Sequence, residues 1–142
     1  RDRQPLYLVP QALCVGIGCR KGASGEQIDA LFEKVMEQNC IWHEAIEMVC
    51  SIDLKKEEPG LLDFCAEHFW KLKTYDAETL RNLKGVFTAS AFVKQVTGVD
   101  NVCERSAKKG SGNGEIRIPK TAQNGVTIAV AMKTVEISFK SR

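Results

Sequence analysis

Gly16, Gly18 and Gly22 bracket a cysteine, Cys19, and two cations, Arg20 and Lys21, within seven residues (GIGCRKG). A short apolar run, Leu13-Cys14-Val15-Gly16-Ile17, leads into them, and Ser24-Gly25-Glu26-Gln27 opens a periodic segment directly after. A strand, a glycine loop and a helix start in that order aim backbone N–H groups and the positive end of a helix dipole at one spot. The spacing therefore predicts a loop that receives an anion, with Arg20 and Lys21 adding charge. Two other chemistries compete for the same residues. G-x-G-x-x-x-G is one residue longer than the dinucleotide fingerprint, and Asp53 stands where a ribose-binding acid would end the second strand. Against that reading, Arg20 and Lys21 occupy the turn itself and the second half does not repeat the unit. Cys19, beside Arg20 and near a helix start, sits where a thiolate is stabilised. A thiol nucleophile also needs a histidine, and His43 and His68 fall in or beside amphipathic elements away from the loop.

The six cysteines, Cys14, Cys19, Cys40, Cys50, Cys65 and Cys103, contain no C-x-x-C pair, and most stand among apolar neighbours. They are expected to be buried free thiols rather than metal ligands or disulfides. The implied compartment is reducing, hence cytoplasmic. With 142 residues and a net charge of +2, the chain reads as one domain without the strongly basic face of a nucleic-acid binder. No apolar run is long enough to span a bilayer, and no secretory signal is visible. A chain that starts at Arg1 rather than Met reads as an excised domain or a trimmed form of a longer chain.

Regular elements must position these residues. Ile28, Leu31, Phe32, Val35 and Met36 fall on one face of a helix, started by a Ser24/Gln27 capping box and ended at Asn39. Residues 45–52 read as a second strand ending at Asp53, followed by the polar loop Leu54-Lys55-Lys56-Glu57-Glu58. Pro59 suits the first turn of a second helix with a stripe of Leu61, Leu62, Cys65 and Phe69. Residues 70–75 alternate as a third strand, so the first half is β-α-β-α-β, the pattern of a layered α/β sheet. In the second half, Asp76 caps a short helix through Leu80 and Leu83. A further helix carries Phe92, Val93 and Val96 and stops at Thr97-Gly98. Asn101 and Glu104 form another capping-box pattern. Residues 108–114 read as a flexible basic glycine-rich loop, before strands at 115–118 and 126–131 joined through 121–125 as a hairpin. Leu6 to Val9 and the alternation of Val135, Ile137 and Phe139 add a lead-in and an edge strand as expectations.

The segments GIGCRKG with Ser24 and Glu26, SIDLKKEEPGL (51–61), TGVDNVCERSA (97–107), Pro119-Lys120 and GVTIAVA (125–131) occur in that order. Together they resemble the cobalamin-biosynthesis CbiG C-terminal domain / CobE family over residues 12–132, with 1–11 as lead-in and 133–142 as tail. The resemblance implies a three-layer α/β/α domain with a central mixed sheet, used in building the corrin ring. A CbiG-type protein is a cobalt-precorrin-5A hydrolase, which opens a δ-lactone and expels acetaldehyde. The stand-alone CobE type implies a non-catalytic corrinoid-binding or carrier module. The sequence contains nothing corresponding to the amino-terminal and central parts of a full hydrolase, so those domains are expected partners. A precorrin is a flat macrocycle fringed with carboxylates, and its holder needs scattered cations and backbone donors. Substrate-binding candidates are Gly16, Gly18, Cys19, Arg20, Lys21, Gly22, Ser24, Lys55 and Lys120, with Lys56 beside them. Lactone opening needs a base and a cation near the developing oxyanion, which singles out Asp53, Glu57 and Glu104. No cofactor or protein-bound metal is expected, because cobalt arrives in the substrate.

Overall fold

The computed structural model describes residues 12–88 and 99–133. The lead-in, the helix expected around Phe92, Val93 and Val96 and its stop at Thr97-Gly98, and the tail strand through Val135, Ile137 and Phe139 lie outside the described residues. Five strands form one mixed sheet: β1 (Leu13–Cys19), β2 (Ile46–Ile52), β3 (Leu72–Tyr75), β4 (Glu115–Gln123) and β5 (Val126–Met132), in the order β3-β2-β1-β5-β4. β1, β2 and β3 are parallel, while β5 runs antiparallel to both β1 and β4. Helices α1 (Gly25–Gln38) and α2 (Pro59–His68) pack together on one face. Helix α4 (Val102–Gly110), with the short α3 (Ala77–Arg81) against it, covers the other.

Alternation along the strands decides which helix meets which face. Val15, Ile17, Val126, Ile128 and Val130 point into the core shared with Leu31, Phe32 and Val35 of α1 and Leu61 and Phe64 of α2. The residues between them are small: Gly16 pairs with Ala129 and Cys14 with Ala131. That face lets α4 sit almost on the backbone, since a Cβ on Gly16 would collide with the Cys103 carbonyl and the Ala107 nitrogen. Ile52, Leu80, Val99 and Val102 fill a second, smaller cluster.

Several boundaries differ from the sequence reading, each for a local reason. The Ser24/Gln27 box and the Asn39 end of α1 are as expected. Leu62 and Phe69 are exposed instead of belonging to the stripe of α2, whose buried face is Gly60, Leu61, Phe64 and Cys65. Phe69 ends that helix in the left-handed region (φ 61°), and the Trp70 N–H turns back to the Cys65 carbonyl, so β3 begins only at Leu72. The expected loop over 108–114 is helical in its first three residues and a turn thereafter. Lys108, Lys109 and Gly110 form the last turn of α4, where cations suit the dipole, and Gly110 packs on Cys50 Sγ without room for a side chain. β4 runs through the expected 121–125 connection to Gln123. Asn124 (φ 52°) and Gly125 (φ 79°) supply the two left-handed residues that a two-residue hairpin turn demands.

Candidate functional site

The carboxyl ends of β1 and β2, the β4–β5 turn and the start of α4 meet at one edge of the sheet. Between them lies a cleft of about 770 Å3. Gly18, Val102 and Thr127 are among the residues that line it, and Arg20, Lys21, Lys55 and Lys120 bring four cations to it, with no carboxylate among the described lining residues. Ligands of open α/β sheets sit at this end of the strands. Of the expected binding residues, Gly18, Cys19, Arg20, Lys21, Lys55 and Lys120 are brought together here.

Four backbone donors of the glycine loop are used within the protein, against the anion-cradle expectation. The Arg20 N–H donates to the Gly125 carbonyl at 2.9 Å, the Ala23 N–H to the Arg20 carbonyl at 3.1 Å, and the Ser24 N–H to Gln27 Oε1 at 2.9 Å. The Gly22 N–H donates to Glu58 Oε2 at 2.8 Å, so the anion held by this backbone is the protein's own carboxylate. Gly16 packs against α4, Gly22 makes the turn (φ 87°), and Ser24 caps α1; none of the three lines the cleft. Arg20 lies over Gly125, where an added Cβ would stand 2.6 Å from its Cδ.

Lys55 is 6% exposed, and its Nζ lies 3.9 Å from Glu58 Oε1. Glu58 therefore ties the glycine loop to the one buried lysine of the described residues. Sequence reasoning passed over it, because nothing in Lys55-Lys56-Glu57-Glu58 distinguishes the two acids. Glu57 is exposed and away from the cleft. Asp53 opens a single 3-10 turn, Asp53–Lys55, and accepts the Lys56 N–H on its main-chain carbonyl at 3.1 Å; it does not line the cleft either. Lys56 is exposed.

Burial pushes the Cys19 thiol up to about 11, with Glu58 adding to the rise and Lys55 opposing it. It lines the cleft as a thiol whose ionisation burial disfavours, in line with the expected buried free thiols. The six cysteines are free, and all but Cys40 are buried. Glu104 is 2% exposed and saturated with donors: the Thr88 N–H at 2.9 Å, the Thr88 hydroxyl at 2.7 Å and the Lys120 N–H at 2.6 Å. Burial alone would raise its carboxyl, but these donors and the Asn101 side chain hold it below the usual range. Asn101 caps α4 as expected, accepting the Glu104 N–H at 3.1 Å, yet the Glu104 side chain turns to Thr88 and Lys120 rather than closing a box. A carboxylate so occupied is a poor base and a good anchor for the segment that carries Lys120.

A sequence profile described as cobalamin synthesis G C-terminus matches residues 13–131. The chain belongs to the CbiG C-terminal family. Cobalamin biosynthesis is the process in which this family member takes part. It is 30% identical over 123 residues to a cobalt-precorrin-5A hydrolase from Priestia megaterium, covering 87% of this chain and 33% of that protein. Over 108 residues it is 31% identical to protein CobE from Sinorhizobium sp, covering 75% of this chain and 70% of that one. The crystal structure of CobE, from the cobalamin (vitamin B12) biosynthetic pathway, superposes with a TM-score of 0.76 at 26% identity, over 84% of this chain and 92% of CobE. This CbiG C-terminal chain thus spans about a third of the hydrolase it matches. No helix of its described residues is long and apolar enough to cross a membrane.

Proposed function

We propose that the cleft holds a corrin-ring precursor of cobalamin by its peripheral carboxylates, and that this domain is the substrate-holding part of a cobalt-precorrin-5A hydrolase. The carrying observation is four cations lining a largely apolar cleft that no carboxylate lines among the described residues. Its volume of about 770 Å3 suits a small-molecule ligand. A flat macrocycle rests on Gly18, Val102 and Thr127 while its acid groups reach Arg20, Lys21, Lys55 and Lys120. Each desolvated charge-assisted bond contributes about 1.5–3 kcal/mol, and Arg20 adds a two-pronged grip that a lysine lacks. The cobalt travels with the substrate. Holding is the task assigned to this chain. Opening of the lactone and loss of acetaldehyde belong to the hydrolase as a whole, since Asp53 and Glu57 lie off the cleft and Glu104 is engaged by donors. A second reading, a CobE-like corrinoid carrier, draws support from the 92% coverage of the CobE structure. The free thiols suit a cytoplasmic setting for either.

The test compares a corrin with free carboxylate side chains and the same corrin with those side chains amidated, each titrated into the chain and followed by corrin absorption. The acid form is expected to bind at least about 10-fold more tightly, the equivalent of one charge-assisted bond. Arg20→Ala is expected to reduce that preference without moving the melting temperature. Equal affinity for the two corrins, or no binding of either, would remove this reading.

A further inference from the structure

A second cluster stands on the α1–α2 face, made of residues the cleft does not use. Asp29 and Glu33 lie one turn apart on α1, so their carboxylates share a face. His68 is the last residue of α2, and His43 opens the 3-10 turn that leads into β2. His68 Nε2 lies 2.8 Å from Asp29 Oδ1, and His43 Nε2 lies 3.0 Å from Glu33 Oε1. One donor atom each from Asp29, Glu33 and His68 falls within 4.8 Å of the other two. The geometry points to a divalent transition-metal site of the zinc class at Asp29, Glu33 and His68, with His43 outside the group and holding Glu33 from behind.

Three observations carry this assignment. First, the donor set is one imidazole and two carboxylates, which suits zinc or cobalt better than the all-oxygen preference of calcium or magnesium. Second, the rings are held in place. His68 stacks on Trp70 at 4.6 Å with 12° between the planes, and it also meets Phe64 at 4.8 Å in a tilted contact. His43 packs on Phe32 at 5.3 Å and on His68 at 5.6 Å. Clamped imidazoles are the preorganised part of a metal site. Third, the adjustment needed is small. Ligand atoms around tetrahedral zinc stand about 3.3 Å apart, given bonds of about 2.0 Å. Glu33, half-exposed, closes the remaining distance by side-chain rotation. Two separate ion pairs would be the plainer account, but an exposed pair such as His43–Glu33 contributes little by itself. The bound ion would tie the end of α2 to α1.

Tag-free chain, stripped with chelator, is titrated with Co2+ as a spectroscopic stand-in for Zn2+, and bound metal is counted by elemental analysis. One ion per chain is expected, with visible ligand-field bands and no intense near-ultraviolet thiolate band. Asp29→Asn, which keeps the shape and a hydrogen bond to His68, and His68→Gln should each weaken binding by at least about 100-fold, because even outer partners of a metal are worth about 10–100-fold. Absence of binding, a thiolate charge-transfer band that moves the ion to the cysteines, or unchanged affinity in Asp29→Asn would each overturn the assignment. The Asp29→Asn arm decides the matter if His68→Gln fails to fold.

Discussion

Glu104 shows how a residue that reads as an acid–base candidate becomes an anchor once its neighbours are known. Its two oxygens accept three donors in a nearly dry site, and one of those donors is the main chain of Lys120. A glutamine there offers a single acceptor oxygen and an N–H2 that faces donors. Glu104→Gln is therefore expected to destabilise the chain by about 1–3 kcal/mol at neutral pH. The sign of the pH dependence follows from the lowered carboxyl. A depressed folded value means that the stabilisation is complete above the unfolded value near ~4.3 and fades as pH falls through the folded one. Urea unfolding of parent and variant should show a gap that is wide at pH 7 and narrows as pH drops below ~4. A gap that stays constant down to pH 3 would mean the carboxylate charge contributes nothing. Glu58 makes the complementary point, because it answers the Gly22 N–H and Lys55 together while its neighbour Glu57 faces water.

At the scale of elements, the glycines of the loop separate into different tasks. Gly16 exists for the approach of α4, and Gly22 for a backbone turn with open space around it. Gly16→Ala should drive α4 off the sheet, an overpacking error of about 1–3 kcal/mol or more. Gly22→Ala meets only the strain of its left-handed backbone, about 1 kcal/mol. Thermal denaturation should rank them in that order, and equal shifts would show that α4 yields to the added methyl group. The sequence made β1, α1, β2 and the start of α2 legible, because each has a clean period and a stop or start signal such as Ser24, Asn39 or Pro59. It also carried one signal that went unread, the Asn124-Gly125 dipeptide of a two-residue hairpin turn. What it could not carry depends on partners far along the chain. The left-handed Phe69, the helical Lys108-Lys109-Gly110 and the choice of Glu58 over Glu57 are settled by packing against Cys65, Cys50 and Gly22. The cations of the cleft were legible as residues near strand ends. That the loop's backbone donors are used internally was not, since Gly125 and Glu58 lie 105 and 36 positions away from Arg20 and Gly22 respectively.

At the scale of the molecule, a chain of net charge +2 concentrates four cations in one cleft. Binding there should depend on salt far more than the net charge suggests, because a clustered field survives where a balanced total does not. On the proposed reading, holding and reacting are separate tasks of the hydrolase. The chain covers 33% of the hydrolase from Priestia megaterium, and the carboxylates that sequence reasoning offered as bases do not line its cleft. Cobalt-precorrin-5A mixed with this chain should therefore change its absorption spectrum at low salt, lose that change at high salt, and release no acetaldehyde. The same assay with a full-length hydrolase carrying Arg20→Ala and Lys55→Ala equivalents should show a raised KM with kcat much less affected, the pattern of lost substrate binding. Acetaldehyde from this chain alone would make the cleft a complete active site and would return Asp53, at the turn that delivers Lys55, to the role of base. A fall in kcat with KM unchanged would instead place the cations on the developing oxyanion, where their charge acts in the transition state.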